Sequence, residues 1–343
     1  MKQALKPFSN ITRRDNKRVQ TGSLHLDLST IQQAQPDNDE DEYSDPEFVD
    51  NSSASYDSDD DDIDFEDMPE VDQRNLNKPE KLAKYAETIF SIAIQDIPTS
   101  SASSEEFRKN QTEITPEMHE TAVKWILRLQ AQYQMSNDAL YEAVTYLNTI
   151  LSKSPVRKSQ LQLITVTCIW MASKIEERTV PKLEDLSTIC SNQYGADDFV
   201  KCERKLLRIL DFRLSFPTSK FFLRRLLDSI DAEAQIIEVA DFFCDLSLMP
   251  LEFVDFPPNV IAFAAVCLGK LCLNEFCPTL RLMAYAHMSD LDDVKKCGNG
   301  MLQYAPKILG DPKHVLYARY NGPSTTGAVF DMNLEIDLNE ALM

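Results

Sequence analysis

From residue 78 onward, apolar positions recur with the 3.6-residue period of helices that face a core. Leu82, Tyr85, Ile89, Ile92 and Ile94 fall mainly on one side of a predicted helix over about 79–96, which a serine-rich link follows through Ser104. Thr115-Pro116 supplies an N-cap and a proline at the first helical position for a helix to about Gln134. Ser136 caps the next helix, which runs to about Leu151. The stretch LQLITVTCIWMASKI, 161–175, is apolar on nearly every side until Lys174, the pattern of a helix enclosed by other helices. Ser154-Pro155 ahead of it reads as its N-cap, although the dipeptide also fits a proline-directed kinase site.

Two amphipathic helices follow, near 182–190 and 197–210, and then the linker DFRLSFPTSK. A second all-round apolar run, 260–273, comes directly after Pro257-Pro258. Laid over the first run at an offset of 97 residues, it places Ile164 on Ile261, Cys168 on Ala265 and Lys174 on Leu271. Identity is low, but the order of helices repeats, which predicts two helical domains, each built around one central helix. A charged function at the end of the first central helix therefore belongs to the first domain alone.

Composition supports a mostly helical chain, since 8 glycines in 343 residues leave little for tight hairpins or phosphate cradles. The formal charge is -20, unevenly placed: residues 37–72 carry -18, residues 1–36 carry +4 and the rest carry -6. No Lys/Arg stripe of the kind phosphate binding needs is visible in the globular part, so no nucleic-acid partner is expected. The longest uncharged stretch, 159–173, is too short to span a bilayer, and the N-terminus has no secretory apolar region, so no membrane partner is expected either.

The eight cysteines contain no CxxC pair and read as small buried hydrophobes in a reducing, intracellular compartment. The histidines His25, His119, His287 and His314 have no ligand spacing, so no metal and no cofactor is expected. Residues 1–78 are too polar to offset chain entropy and are expected to form a disordered arm. Ser55 and Ser58 precede the run 59–62, where acid-directed phosphorylation competes with a plain solvated charge run. GxGxxG, GK[ST], HExxH and GxSxG are all missing, which argues against an enzyme.

Three segments in order, KIEE at 174–177, ERKLLRILDFRLSFPTSKFFLRR at 203–225 and LSLMPLEFVDFPPNVIAFAAVCL at 246–268, resemble a cyclin of the mitotic A/B group. The FLRR element is most like the B-type branch, and the likeness covers about 79–320. The resemblance implies an all-α fold of tandem five-helix cyclin boxes preceded by an N-terminal helix and a disordered acidic arm. Its divisions are a regulatory arm at 1–78, an N-terminal helix and link at 79–115, a first box at 116–212, a second box at 213–320 and a C-terminal tail at 321–343.

It further implies a non-catalytic subunit that binds and activates a cyclin-dependent kinase as a heterodimer and drives G2/M progression in nucleus and cytoplasm. Lys174 and Glu203 would meet a mobile helix of that kinase; an internal salt bridge between them is the competing reading. Ile175, Leu207, Phe212 and Leu214 match apolar contact positions, with Ile89 and Tyr85 extending the face, although core packing explains Leu207 equally well. A cyclin-fold transcription adaptor is the alternative, and it would predict a basic face or a zinc ribbon ahead of the boxes.

Departures from the family pattern are specific. The substrate-docking groove would use Met118, Trp125, Leu161 and Gln162, but Thr121 and Ala122 replace two large apolar residues. Arg128 stands where the family usually has a glutamate, so docking of an RxL motif should be weak or altered, and Met118 and Trp125 also fit a core role. A buried Arg-Asp pair of the family is replaced by His119 and Asn148, which are expected to share a neutral hydrogen bond. At the N-terminus KQALKPFSN resembles a destruction box, with Leu5 and Asn10 matching and Lys2 in place of Arg. It implies a ubiquitin ligase partner, with Lys6 and Lys17 as acceptors; no KEN sequence accompanies it, and RRDNKR at 13–18 could serve nuclear import.

Overall fold

The computed structural model describes residues 68–78, 81–100 and 102–342, and every described regular element is helical. The first five-helix layer comprises α4 (Pro116–Tyr133), α5 (Asn137–Lys153), α6 (Leu161–Glu176), α7 (Leu183–Ile189) and α8 (Ala196–Ile209). Caps define its entry points: Thr115 Oγ1 accepts from the Met118 N–H at 3.3 Å and Ser136 Oγ from the Ala139 N–H at 3.1 Å. α6 is the apolar helix of the pattern, packed between α4, α5 and α8, with Val166, Cys168, Ile169 and Ala172 fully enclosed.

The second layer repeats the plan with α9 (Ser219–Ser229), α10 (Ala234–Ser247), α11 (Pro258–Leu271), α12 (Thr279–Ala286) and α13 (Asp292–Leu309). α11 begins 97 positions after α6 and is its counterpart, packed against α9, α10, α12 and α13. No described helix is long and apolar enough to cross a membrane.

Four expectations change. Ser154 is not the N-cap of α6; it follows the last residue of α5, and its N–H donates to the Ile150 carbonyl at 3.0 Å. Pro155 forces extended backbone on the residue before it, so the chain runs through a short 3-10 turn, Lys158–Gln160, before α6 can start. The N-terminal helix starts later than predicted, as α2 (Ala86–Ser100) after a 3-10 turn, Ala83–Tyr85, because Leu82 takes the left-handed conformation at φ 47. The helix-and-link segment 79–115 holds a further helix after its serine-rich part, α3 (Ser104–Asn110), capped by the Ser103 hydroxyl and packed on α5.

The arm, expected to be disordered through 78, is folded over its described end. α1 (Glu70–Asn75) buries Val71 and Asp72 against α9. The segment after 320 also docks: α14 (Val315–Tyr320) is followed by α15 (Ala328–Asp331) against α10 and α16 (Leu338–Ala341) against α13. Leu338 of α16 packs directly over Gly298 of α13, where a Cβ would stand 2.5 Å from Leu338 Cδ1 and the leucine tip would have to shift.

The two boxes are clasped by one buried carboxylate. Asp245 of α10 accepts from the Tyr141 hydroxyl of α5 at 2.7 Å, the Tyr320 hydroxyl at 2.8 Å and Arg319 Nε at 2.9 Å. Arg319 uses its other nitrogens on the first box, donating to Gln130 Oε1 at 2.8 Å and Asn137 Oδ1 at 2.7 Å. A charge this deep is tolerable only because three donors face it.

Candidate partner-binding face

Lys174 lies in the last turn of α6, where a cation also favours the negative end of the helix dipole. Its Nζ sits 3.4 Å from the centroid of the Trp170 ring, one turn back, and 2.5 Å from Glu203 Oε1 on α8. The packing of α6 on α8 makes the pair, and neither side chain is sealed in: the lysine is 35% and the glutamate 16% exposed. Both readings of the sequence therefore meet in one geometry, an internal ion pair whose lysine end is open to solvent.

Around the pair lie apolar side chains without cover. Ile175 is 51% exposed and Phe212 68%, while Leu207 and Leu214 are half-buried. Leu207 follows Glu203 by one helical turn, so the two share a face of α8. Asp211 and Phe212 both adopt left-handed backbone, at φ 54 and φ 56, costing roughly 1 kcal/mol each for residues with a Cβ. The Phe212 N–H donates to the Leu207 carbonyl at 2.8 Å, which closes the turn and holds the phenyl ring outward.

The linker carrying Phe212 and Leu214 is fixed from beneath by α5. Tyr146 donates its hydroxyl to the Leu214 carbonyl at 2.5 Å, and the Phe216 N–H donates to Glu142 Oε1 at 3.1 Å. Glu142 and Tyr146 escape sequence reading as site residues; the available signal is a glutamate inside the otherwise apolar run ALYEAV. Arg213, between the two apolar linker residues, reaches Asp96 at 3.3 Å and so brings the end of α2 beside the linker. Tyr85, at the end of the 3-10 turn, and Ile92 of α2 are exposed and Ile89 is half-buried, while Phe90 turns away to stack on Phe221 at 4.6 Å.

Burial pushes the Glu142 carboxyl up to about 8, which leaves it largely protonated at neutral pH. The native chain thus keeps a proton that the unfolded chain releases near the ordinary carboxylate range. The stability it contributes is fully present below the ordinary glutamate value and is lost as pH rises through about 8. Glu142→Gln is expected to flatten that window, raising stability by a few kcal/mol at pH 8.5 relative to wild type and changing it little at pH 4.5. Denaturant melts at the two pH values measure it, and an equal effect at both would disprove the assignment.

The residues assigned to a docking groove take a different position from an open cleft. Met118, Trp125, Leu161 and Gln162 are all buried, none more than 8% exposed, whereas Arg128 is exposed. As folded they pack into the first box, the core role that Met118 and Trp125 also fit from sequence. The replacement pair is formed: His119 Nε2 lies 2.6 Å from Asn148 Oδ1 at a fully buried site, and burial lowers the imidazole pKa so that it stays neutral.

Seven of the eight cysteines are buried and Cys202 is half-buried; burial pushes Cys190, Cys244 and Cys272 up to about 12. No cluster of metal-ligating side chains occurs among the described residues. Lys2, Leu5, Lys6, Asn10, Lys17, Ser55 and Ser58 lie outside the described residues.

Residues 88–215 match the family "Cyclin, N-terminal domain" and residues 217–330 the family "Cyclin, C-terminal domain". Cyclin-A2-1 of Arabidopsis thaliana is 32% identical over 206 residues, covering 58% of this chain and 46% of that protein. The G2/mitotic-specific cyclin-B3 of Mus musculus is 29% identical over 202 residues, covering 58% of this chain and 14% of its own length. The chain thus spans about half, or less, of the curated relatives it matches.

Among solved structures, a viral cyclin from herpesvirus saimiri superposes with a TM-score of 0.50 at 19% identity, over 56% of this chain and 85% of that one. The yeast RNA Pol II CTD kinase CTDK-1 complex contains a chain similar at a TM-score of 0.53 and 11% identity, over 66% and 78%. With two five-helix layers in the fold and both domain families matched in order across 88–330, the chain belongs to the cyclin family, and its relatives include A-type and B-type cyclins.

Proposed function

We propose that this chain is the regulatory subunit of a cyclin-dependent protein kinase, binding it as a heterodimer through Lys174, Glu203, Ile175, Leu207, Phe212, Leu214, Ile89 and Tyr85. The chain is a regulatory subunit and not an enzyme. The observation that carries the reading is the Lys174–Glu203 pair at the rim of exposed Ile175 and Phe212, a charged centre beside apolar surface that a partner would cover.

Activation then works by population shift, because a subunit that binds the active kinase conformer more tightly than the inactive one changes their ratio only by that difference. Moving a kinase from 1:99 to 99:1 takes about 5.5 kcal/mol of differential binding, which covering two or three large apolar side chains at about 1.5–3 kcal/mol each supplies only to the extent that the active conformer alone covers them. The pair adds direction, since its position fixes which helix of the kinase can approach. Chemistry stays in the kinase, whose own ion pair must assemble around ATP.

The finer reading is a mitotic role, driving G2/M progression in nucleus and cytoplasm, ended by ubiquitin-dependent proteolysis through the N-terminal arm. Its support is the FLRR element and the KQALKPFSN segment. Co-purification followed by a phosphotransfer assay tests the first part: a kinase should accompany the chain and gain activity from it. A chain that turns over substrate unaided, or recovers no kinase, overturns the reading. Deletion of residues 1–10 is expected to lengthen the half-life through mitotic exit several-fold; an unchanged half-life removes the destruction-box assignment.

A further inference from the structure

The described end of the acidic arm is held by the second box in the manner of a bound peptide. Asp72 is 2% exposed, and both its oxygens face the guanidinium of Arg225 on α9, Nη1 toward Oδ1 and Nη2 toward Oδ2 at 2.5 Å. That planar fork is held between two rings, Phe90 of α2 with its centroid at 5.1 Å and Tyr285 of α12 at 5.2 Å. Val71 beside it is 1% exposed. Outer contacts extend the same site: Glu70 pairs with Arg281 at 3.0 Å, Arg74 donates to the Asp228 carbonyl at 3.1 Å and pairs with Asp231, and Lys81 pairs with Asp228 at 2.5 Å.

A six-residue helix has no stability of its own in water, so α1 exists because the box holds it. The recognition elements are a preset carboxylate fork, aromatic walls and one apolar seat, which together suit an acidic peptide with an apolar residue beside its aspartate. Tethering by a short link presents the segment at roughly millimolar effective concentration, so even a weak site stays filled. Phe90 connects the site to α2: the same ring lies 5.1 Å from the Arg225 guanidinium and stacks on Phe221, one turn away on α9.

We propose that the second box carries a receptor for a short acidic peptide, that the chain's own Glu70-Val71-Asp72 fills it, and that filling it fixes the pose of α2. The consequence for partner binding rests on the function proposed above, because α2 carries Ile89 and the turn leading into it carries Tyr85. Release of α1 would let α2 lose its footing and weaken one flank of the partner face.

Hydrogen exchange on the isolated full chain tests the proposal without any kinase. In Asp72→Ala the amides of α1 and of α2 up to Ile97 should exchange about a hundredfold faster, with α5, α6 and α11 unchanged. Arg225→Lys keeps the charge and removes the fork, and should give the same local pattern. A synthetic peptide MPEVDQRN at millimolar concentration should restore protection of α2 in the Asp72→Ala chain, and its aspartate-to-alanine version should not. Unaltered α2 exchange in Asp72→Ala, uniform loss across the boxes, or a peptide that restores nothing overturns the proposal. Because no kinase is present, these outcomes are independent of whether the kinase reading survives.

Discussion

Lys174→Ala combined with Glu203→Ala is expected to lower activation of a bound kinase by at least a hundredfold while the helical circular dichroism stays unchanged. Two facts make those effects separable. The pair is partly solvent-exposed, so its own contribution to folding is at most about 1 kcal/mol. The packing that holds α6 against α8 is apolar and remains in place, with Phe199 and Leu206 buried on α8. In a complex, by contrast, both side chains would be covered and matched to partner groups, and removing hydrogen-bonded charges from a covered interface typically costs 2–5 kcal/mol. Each single variant should lose less activation than the double. A double variant that activates at the wild-type level would show that the partner docks elsewhere. Ile175→Ala and Phe212→Ala should weaken partner binding with no loss of thermal stability, since both side chains are already exposed in the free chain.

Asp245→Ala carries the largest expected cost to the fold itself. The substitution strands three donors at once, the hydroxyls of Tyr141 and Tyr320 and the guanidinium of Arg319, which now holds both boxes. Breaking a buried pair from one side costs about 3–5 kcal/mol, which for a region of this size lowers Tm by about 10 °C. Asp245→Asn keeps an acceptor for one tyrosine and should lose roughly half as much. Tyr141→Phe should cost about 1.5–3 kcal/mol by removing a single bond to a charged acceptor. Guanidinium melts followed by circular dichroism measure all three, and a loss below about 1 kcal/mol for Asp245→Ala would show that the two boxes are held together mainly by apolar contacts.

The helices of both boxes were legible because their cause is local. Thr115, Ser136 and Thr218 act as N-caps through their own hydroxyls, and α6 and α11 declare themselves by apolar residues on every side. Lys174 and Glu203 were legible through the order of the KIEE and ERKLL segments, and their meeting at 2.5 Å needed only that α6 and α8 be neighbours. Ser154 misled because a serine before a proline has the composition of an N-cap while the proline displaces the start of the helix. Met118 and Trp125 kept two readings open in the sequence, groove and core, because an apolar helix face looks the same whether it meets a partner peptide or its own core; in the free chain both are buried.

Charge is where the chain's one-dimensional order says least. Asp72 belongs to a run of acidic residues that reads as solvated, yet it is buried on an arginine 153 residues away. Asp245 and Arg319 likewise look like ordinary polar positions on helices. Composition and periodicity by themselves determined an all-α chain with two central helices and a lysine at the end of only the first. Tertiary packing alone decided which carboxylates leave water, because a side chain's electrostatic role depends on which donors reach it, and those donors come from distant helices and from the segments on either side of the boxes.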